Sequence, residues 1–372
     1  MQIRAAVLRE QPGRWHIEDL ELSAPGHGEV LVEVVATGLC HSDDHMAKGD
    51  TPLPNLPVVA GHEGAGIVRE VGPGVQGLEV GDHIVTSFVP ACGKCKWCSM
   101  GMQNLCDYGA LILEGTQLDG GFRLKDADGQ NVAKAAMLGT FANWQVFDQT
   151  SCVKIDKDVP LEIACLIGCG VPTGFGSAVN AAEVKPGDVT MILGAGGIGM
   201  NAVQGAAYAG ARRVIVVDPQ PFKREMALKL GATDVFATIA DADALAKSLT
   251  NGQGTDSTIV TVGVTTGEHV LEAYDTVRKA GTLVVTGQGS TSSTIDGINL
   301  FSISMLQKRI QGCLYGGWSP RVAIPKLIEL YKDNKLHLGE LATRQYKLED
   351  INQAYEAMHA GENIRGVVVH EH

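Results

Sequence analysis

Residues 189–204 read VTMILGAGGIGMNAVQ. An apolar run leads into Gly194-x-Gly196-x-x-Gly199, and a small-residue run with helical character follows. A glycine triplet alone is a weak signal in a chain with 46 glycines. Its setting makes it a strong one. The next apolar run, RRVIVVD (212–218), ends in Asp218, nineteen residues after Gly199. Strand, glycine loop, helix, strand and terminal acid form the dinucleotide-binding fingerprint. Gly194, Gly196 and Gly199 let backbone approach a pyrophosphate. Gly197 and Ile198 lie between them, where the start of a helix offers unpaired N–H groups and partial positive charge. Asp218 accepts hydrogen bonds from ribose hydroxyls and repels a 2′-phosphate, which favours NAD(H) over its phosphorylated form.

The same texture extends downstream. KREMALKLGA (223–232) reads as a helix, and DVFAT (234–238), STIVTVG (257–263) and GTLVVTGQG (281–289) read as strands. Alternating strands and helices predict a doubly wound parallel sheet. Upstream the texture differs. EVLVEVVATGL (29–39), GAGIVREVGPGV (64–75) and GDHIVTSFVPAC (81–92) are strand runs broken by Gly and Pro. Near the end, PKLIELYKDNKL (325–336) and EDINQAYEAMHAGE (349–362) read as helices, and NIRGVVVHEH (363–372) as a strand. The expected division is a β-rich domain from 1–170 and 316–372 around an α/β dinucleotide domain from 171–315.

PACGKCKWCSMGMQNLC (90–106) holds Cys92, Cys95, Cys98 and Cys106 with spacing C-x2-C-x2-C-x7-C. Four thiolates this close suit a closed, tetrahedral structural zinc site. Cys40 in GLCHSDDH, His62 in GHEGAGIV and Cys169 in GCGVPTG are scattered, but each sits beside glycines at an expected strand end. Two thiolates and an imidazole form a ligand set for a zinc with one open position.

The formal charge of −12 argues against nucleic acid or an anionic membrane as partner. No apolar run is long enough to span a bilayer. MQIRAAVLREQPGRW (1–15) lacks the apolar core of a signal peptide, and nine cysteines fit a reducing, cytoplasmic setting.

Taken together, GHEGAGIV, the four-cysteine run, GCGVPTGFGSA, GAGGIG and NIRG occur in an order that resembles the zinc-containing alcohol dehydrogenases of the medium-chain dehydrogenase/reductase superfamily. The chain is most similar to the actinobacterial nicotinoprotein type. Enzymes of that type hold NAD(H) tightly and are assayed with N,N-dimethyl-4-nitrosoaniline (NDMA). The resemblance implies a Rossmann domain plus a GroES-like catalytic domain, two zincs per subunit, and hydride transfer between a primary or secondary alcohol and NAD. It implies Cys40, His62 and Cys169 as catalytic-zinc ligands. Asp43 would hold the zinc-bound imidazole, and Glu63 would be a carboxylate near the metal. It further implies a proton relay through Ser42 and the nicotinamide ribose to His45 at the surface. Thr173 matches a residue beside the nicotinamide, Lys223 a cation near the adenosine ribose, and Arg365 a pyrophosphate contact. His41 stands where many relatives carry a second pyrophosphate arginine. Phe88, Met137, Leu138 and Leu314 match substrate-pocket walls. NLFSISMLQKRIQGC (299–313) lies where relatives pair edge strands, which implies a homodimer, or two dimers forming a tetramer. Rival readings are oxidation of thiol–formaldehyde adducts and a non-catalytic, redox-responsive protein that binds zinc and nucleotide.

Overall fold

The computed structural model describes all 372 residues. The chain divides into two compact units, 1–169 with 319–334 and 338–372, and 170–318 with 335–337. The expected boundaries thus shift by a few residues, and a short excursion at 335–337 packs with the second unit.

The second unit is built on a six-stranded sheet. In spatial order its strands are Asp234–Phe236, Arg213–Val217, Val189–Leu193, Thr255–Val260, Val277–Val285 and Arg309–Gly312, each paired parallel with its neighbour. In chain order this is 3-2-1-4-5-6, the doubly wound dinucleotide arrangement. Val189–Leu193 is buried along its whole length, as a strand covered on both faces must be. Two further helices, Ile239–Leu249 and Gly267–Thr276, carry no plain signal in the sequence. Parallel strands need such crossovers. Both helices carry many charges, so their apolar stripe is narrow: Ala242 and Ala246 in one, Val270, Ala273 and Tyr274 in the other.

NLFSISMLQKRIQGC holds the expected edge strand and, before it, a helix. Asn299 caps a helix, Leu300–Leu306, by accepting from the Phe301 N–H at 2.8 Å, and only Arg309–Gly312 is an edge strand.

The first unit holds a small closed barrel and a seven-stranded sheet. The barrel is formed by Gln2–Leu8, Trp15–Leu22, Leu124–Lys125, Asn131–Lys134 and Val58–Val59. In the larger sheet, the central strand Glu29–Gly38 pairs with Glu63–Val71, Trp144–Asp148 and Arg365–Val369. Its Val-rich sequence is buried almost throughout because it has neighbours on both sides. Leu138 packs into the cluster around Val30 and Phe147, so it is a core residue and not a pocket wall. No single helix is long and apolar enough to cross a membrane.

Candidate active site

In the first unit, strand Glu29–Gly38 ends just before Cys40, and helix His41–Lys48 begins just after it. Strand Glu63–Val71 starts one residue after His62. Cys169 follows the helical turn Cys165–Gly168. These strand and helix ends converge, so that one ligand atom from each of Cys40, His62, Glu63 and Cys169 lies within 4.8 Å of the others. All four residues are buried.

The electrostatics favour a cation. A hydrogen bond from the Cys169 thiol holds the Cys40 thiol well below its usual range, against the effect of burial. The same hydrogen bond, with burial, pushes Cys169 up. Burial opposes charge on His62, but Asp43 and Cys40 beside it outweigh that and raise its imidazole. His62 Nδ1 is hydrogen-bonded to Asp43 Oδ1 at 3.2 Å, and the same oxygen accepts from the Gly61 N–H at 2.9 Å. The carboxylate therefore anchors Nδ1 and leaves Nε2 as the ligating nitrogen. Two sulfurs, one oriented imidazole and excess negative charge suit zinc.

The Arg365 guanidinium lies buried against Glu63 and bonds the Glu63 carboxylate through Nη2. Burial pushes the Glu63 carboxyl up to about 7, while Arg365 pulls it the other way. Arg365 stays charged because Glu63 and Cys40 overcome its own desolvation. Sequence order hides this pair, since the partners lie 302 positions apart.

Ser42 Oγ lies 3.6 Å from Cys40 Sγ. His41, half-buried, occupies the first position of the same helix. His45 does not lie at the surface as the resemblance implies; it is only 2 % exposed. It is buried together with its helix neighbours Asp43, Asp44, Met46 and Ala47, and its Nδ1 lies 2.9 Å from Asp50 Oδ2. Tyr355 donates to the Cys40 carbonyl at 3.4 Å, a contact no motif announces. Phe88 sets its ring edge-on to His62 at 5.6 Å between centroids, which puts one expected pocket wall beside the ligand set.

The four-cysteine run also closes on itself, with one sulfur from each of Cys92, Cys95, Cys98 and Cys106 within 4.8 Å of the others. Backbone N–H groups of Cys92, Cys95 and Cys98 point at neighbouring sulfurs, at 3.4–3.5 Å.

In the second unit the glycine loop leaves the carboxyl end of strand Val189–Leu193 and opens helix Gly197–Tyr208. Gly196 precedes that helix without side-chain capping. A Cβ added there would meet no atom within 4 Å, so open space faces the helix N-terminus where a phosphate approaches. At Gly199 the same Cβ would fall 1.9 Å from the Gly194 carbonyl oxygen, so that glycine serves chain packing. Asp218 accepts from the Ala195 N–H at 2.8 Å and the Gln220 N–H at 2.9 Å, which ties the acid to the glycine loop. Thr173 Oγ1 is buried without a hydrogen-bond partner, a polar atom that a cofactor amide can satisfy. Lys223 is half-buried on helix Pro221–Lys229. The cation bound to this corner is its neighbour, Arg224, which donates to the carbonyls of Asp218 at 2.7 Å and Pro219 at 2.9 Å. The sequence offers two adjacent cations and no means to choose between them.

Comparison with known proteins agrees with this geometry. The family described as "Alcohol dehydrogenase GroES-like domain" matches residues 26–157, and that described as "Zinc-binding dehydrogenase" matches residues 197–333. Alcohol dehydrogenase B of Mycobacterium tuberculosis is 47 % identical over 369 residues, covering 99 % of this chain and 98 % of its own. The NDMA-dependent alcohol dehydrogenase of Amycolatopsis methanolica is 45 % identical over 370 residues, covering 100 % and 99 %. The crystal structure of benzyl alcohol dehydrogenase from Acinetobacter calcoaceticus superposes with a TM-score of 0.92 at 31 % identity, covering both chains fully. With two buried cysteines, a histidine and a dinucleotide loop in place, and similarity running end to end, the chain belongs to the zinc-containing alcohol dehydrogenases of the medium-chain dehydrogenase/reductase superfamily.

Proposed function

We propose that this protein transfers a hydride between a primary or secondary alcohol and NAD, giving an aldehyde or ketone, and that it retains NAD(H) between turnovers. The observation that carries the first part is the buried convergence of Cys40, His62 and Cys169. These three residues would hold a catalytic zinc, and Cys92, Cys95, Cys98 and Cys106 a structural one. When bound, zinc polarises the alcohol oxygen as a Lewis acid, and the nicotinamide accepts the hydride.

The chain's own residues supply position and proton handling. Asp43 fixes the His62 ring. Arg365 balances the charge of Glu63 and so keeps a second carboxylate next to the ligand set without an uncompensated buried charge. Ser42 stands beside Cys40, where it would take up the alcohol proton, and His45 would carry that proton onward. Gly196 and the start of helix Gly197–Tyr208 receive the pyrophosphate, Asp218 the adenosine ribose, and Thr173 the nicotinamide end. Asp218 supports NAD over its 2′-phosphorylated form.

Retention of the cofactor is supported by the likeness to the NDMA-dependent relative. Association as a homodimer, or a tetramer of two dimers, is part of the same reading. Leu300 and Phe301 are 80 % and 68 % exposed beside the edge strand Arg309–Gly312, an apolar face that a second copy would cover. A cytoplasmic setting suits nine free thiols.

The test is the spectrum of purified protein before any cofactor is added. A reduced-nicotinamide absorbance should appear on addition of alcohol alone and vanish with NDMA, and metal analysis should return two zincs per chain. Activity strictly dependent on added NAD would overturn retention. Absence of zinc from the Cys40 site in active enzyme would overturn the whole reading.

A further inference from the structure

We infer that Asp50 completes the proton path: its carboxylate fixes the tautomer of His45 and conducts the outgoing proton from that buried ring to water. The inference rests on the reading of the site as an alcohol dehydrogenase.

A histidine that ends a relay must reach solvent. At 2 % exposure, His45 has little access of its own. Its Nδ1 lies 2.9 Å from Asp50 Oδ2, and the Asp50 side chain is 42 % exposed. An ionised carboxylate can only accept, so Nδ1 donates and Nε2 carries the lone pair. A proton taken up at Nε2 then creates a buried imidazolium, and the adjacent carboxylate compensates that charge.

Local structure builds this pair. Helix His41–Lys48 ends at Gly49, whose φ of 83° reverses the chain and brings Asp50 back beside His45. The Thr51 N–H donates to the His45 carbonyl at 3.2 Å. The Gln11 side chain staples the turn to the helix end. Its Nε2 donates to the Met46 carbonyl at 2.6 Å and the Thr51 carbonyl at 3.1 Å, and its Oε1 accepts from the Leu53 N–H at 3.0 Å.

In alcohol oxidation one proton arrives and forms the Nε2–H bond. The Nδ1–H bond breaks as its proton passes to Oδ2, and Asp50 releases it to water or a buffer base. One proton moves in and one moves out, and neither residue changes oxidation state. In carbonyl reduction the path runs backward. Asp50 is thus a positioning residue that acts through His45.

The experiment is steady-state alcohol oxidation by the zinc-loaded holoenzyme at fixed pH, comparing wild type, Asp50→Asn and Asp50→Glu across rising concentrations of imidazole or formate. Asp50→Asn should lower kcat about tenfold with little change in KM, since only a proton-transfer step is slowed. Small buffer bases should restore that rate without accelerating wild type, and Asp50→Glu should recover most of it. An Asp50→Asn enzyme with wild-type kcat would overturn the inference. So would a loss that neither buffer nor glutamate restores, since that marks a purely structural role. A wild type inert toward alcohols would instead overturn the proposed function, and the proton path with it.

Discussion

The Glu63 carboxylate and the Arg365 guanidinium are in direct contact, and both are buried. Each is the other's main compensation for lost solvation. Removing one partner strands the other, whereas removing both leaves a neutral gap. Arg365→Met should destabilise the fold by about 3–5 kcal/mol, the usual penalty for an orphaned buried charge. Glu63→Gln/Arg365→Met should recover part of that loss. Urea unfolding of the two single variants and the double variant gives the coupling directly, and additive losses would show that the pair is not a unit.

The glycine loop separates binding from folding. Gly196 faces open space, and Gly199 faces the Gly194 carbonyl. Gly196→Ala should melt within a degree or two of wild type yet bind NAD on the order of tenfold more weakly, because the new methyl fills the phosphate approach. Gly199→Ala should lose stability outright, by about 1–3 kcal/mol, because backbone must move to admit the methyl. Thermal melts paired with NAD titration distinguish the two. Equal loss of stability in both variants would contradict the geometry.

Lys134 gives the fold a pH signature. Its ammonium is fully buried, donates to the Val146 carbonyl, and lies 5.8 Å from the Phe147 ring centroid. Burial pushes its pKa down to about 7 from the ordinary lysine value of 10.5. Between these two values the unfolded chain binds a proton that the folded chain does not, so this group makes stability rise with pH across that window. Below about 7 both states are charged, and the folded state bears the full desolvation penalty. Lys134→Met should therefore stabilise most at pH 6, by a few kcal/mol, since each tenfold loss of proton affinity on folding corresponds to about 1.4 kcal/mol. Near pH 10 the benefit should be small. Urea midpoints at the two pH values check this, and a benefit independent of pH would refute it.

The four-cysteine lobe should matter for stability before rate. Cys106 is buried and joined to Cys92 through a backbone N–H···S contact of 3.5 Å. Cys106→Ser should remove the zinc proposed for this lobe and lower the melting temperature. Surviving folded enzyme should keep kcat within about threefold, because the lobe supplies no group to the Cys40 cluster. Metal analysis alongside active-site titration tests it. A collapse of kcat in enzyme that remains folded would assign the lobe a direct role.

Local signals are legible in this sequence. Gly194 to Asp218 is one strand-turn-helix-strand unit, so its chemistry is set by neighbours in the chain. The four cysteines are legible for the same reason. Contacts made across the fold are not. That Arg365 meets Glu63 depends on strand Arg365–Val369 inserting beside strand Glu29–Gly38, which no spacing encodes. The burial of His45 depends on the fold enclosing a short helix almost all round, from Asp43 to Ala47, although its sequence, HSDDHMAK, is mostly polar. The helix Leu300–Leu306 is hidden because Leu300, Phe301 and Met305 face outward and only Ile303 packs on the core, which leaves no clear helical stripe.

Strand Arg365–Val369 also sets an order of events during synthesis. It pairs with the strand that runs up to Cys40, and it brings Arg365 to Glu63. The whole dinucleotide unit emerges from the ribosome between these two strands. The Cys40, His62 and Cys169 ligands all lie before residue 170, whereas the cation buried against Glu63 comes from the last strand. A chain cut before residue 365 would therefore carry every ligand of that site and yet bury the Glu63 carboxylate without its partner, while the cysteine lobe would keep its four ligands within one short stretch.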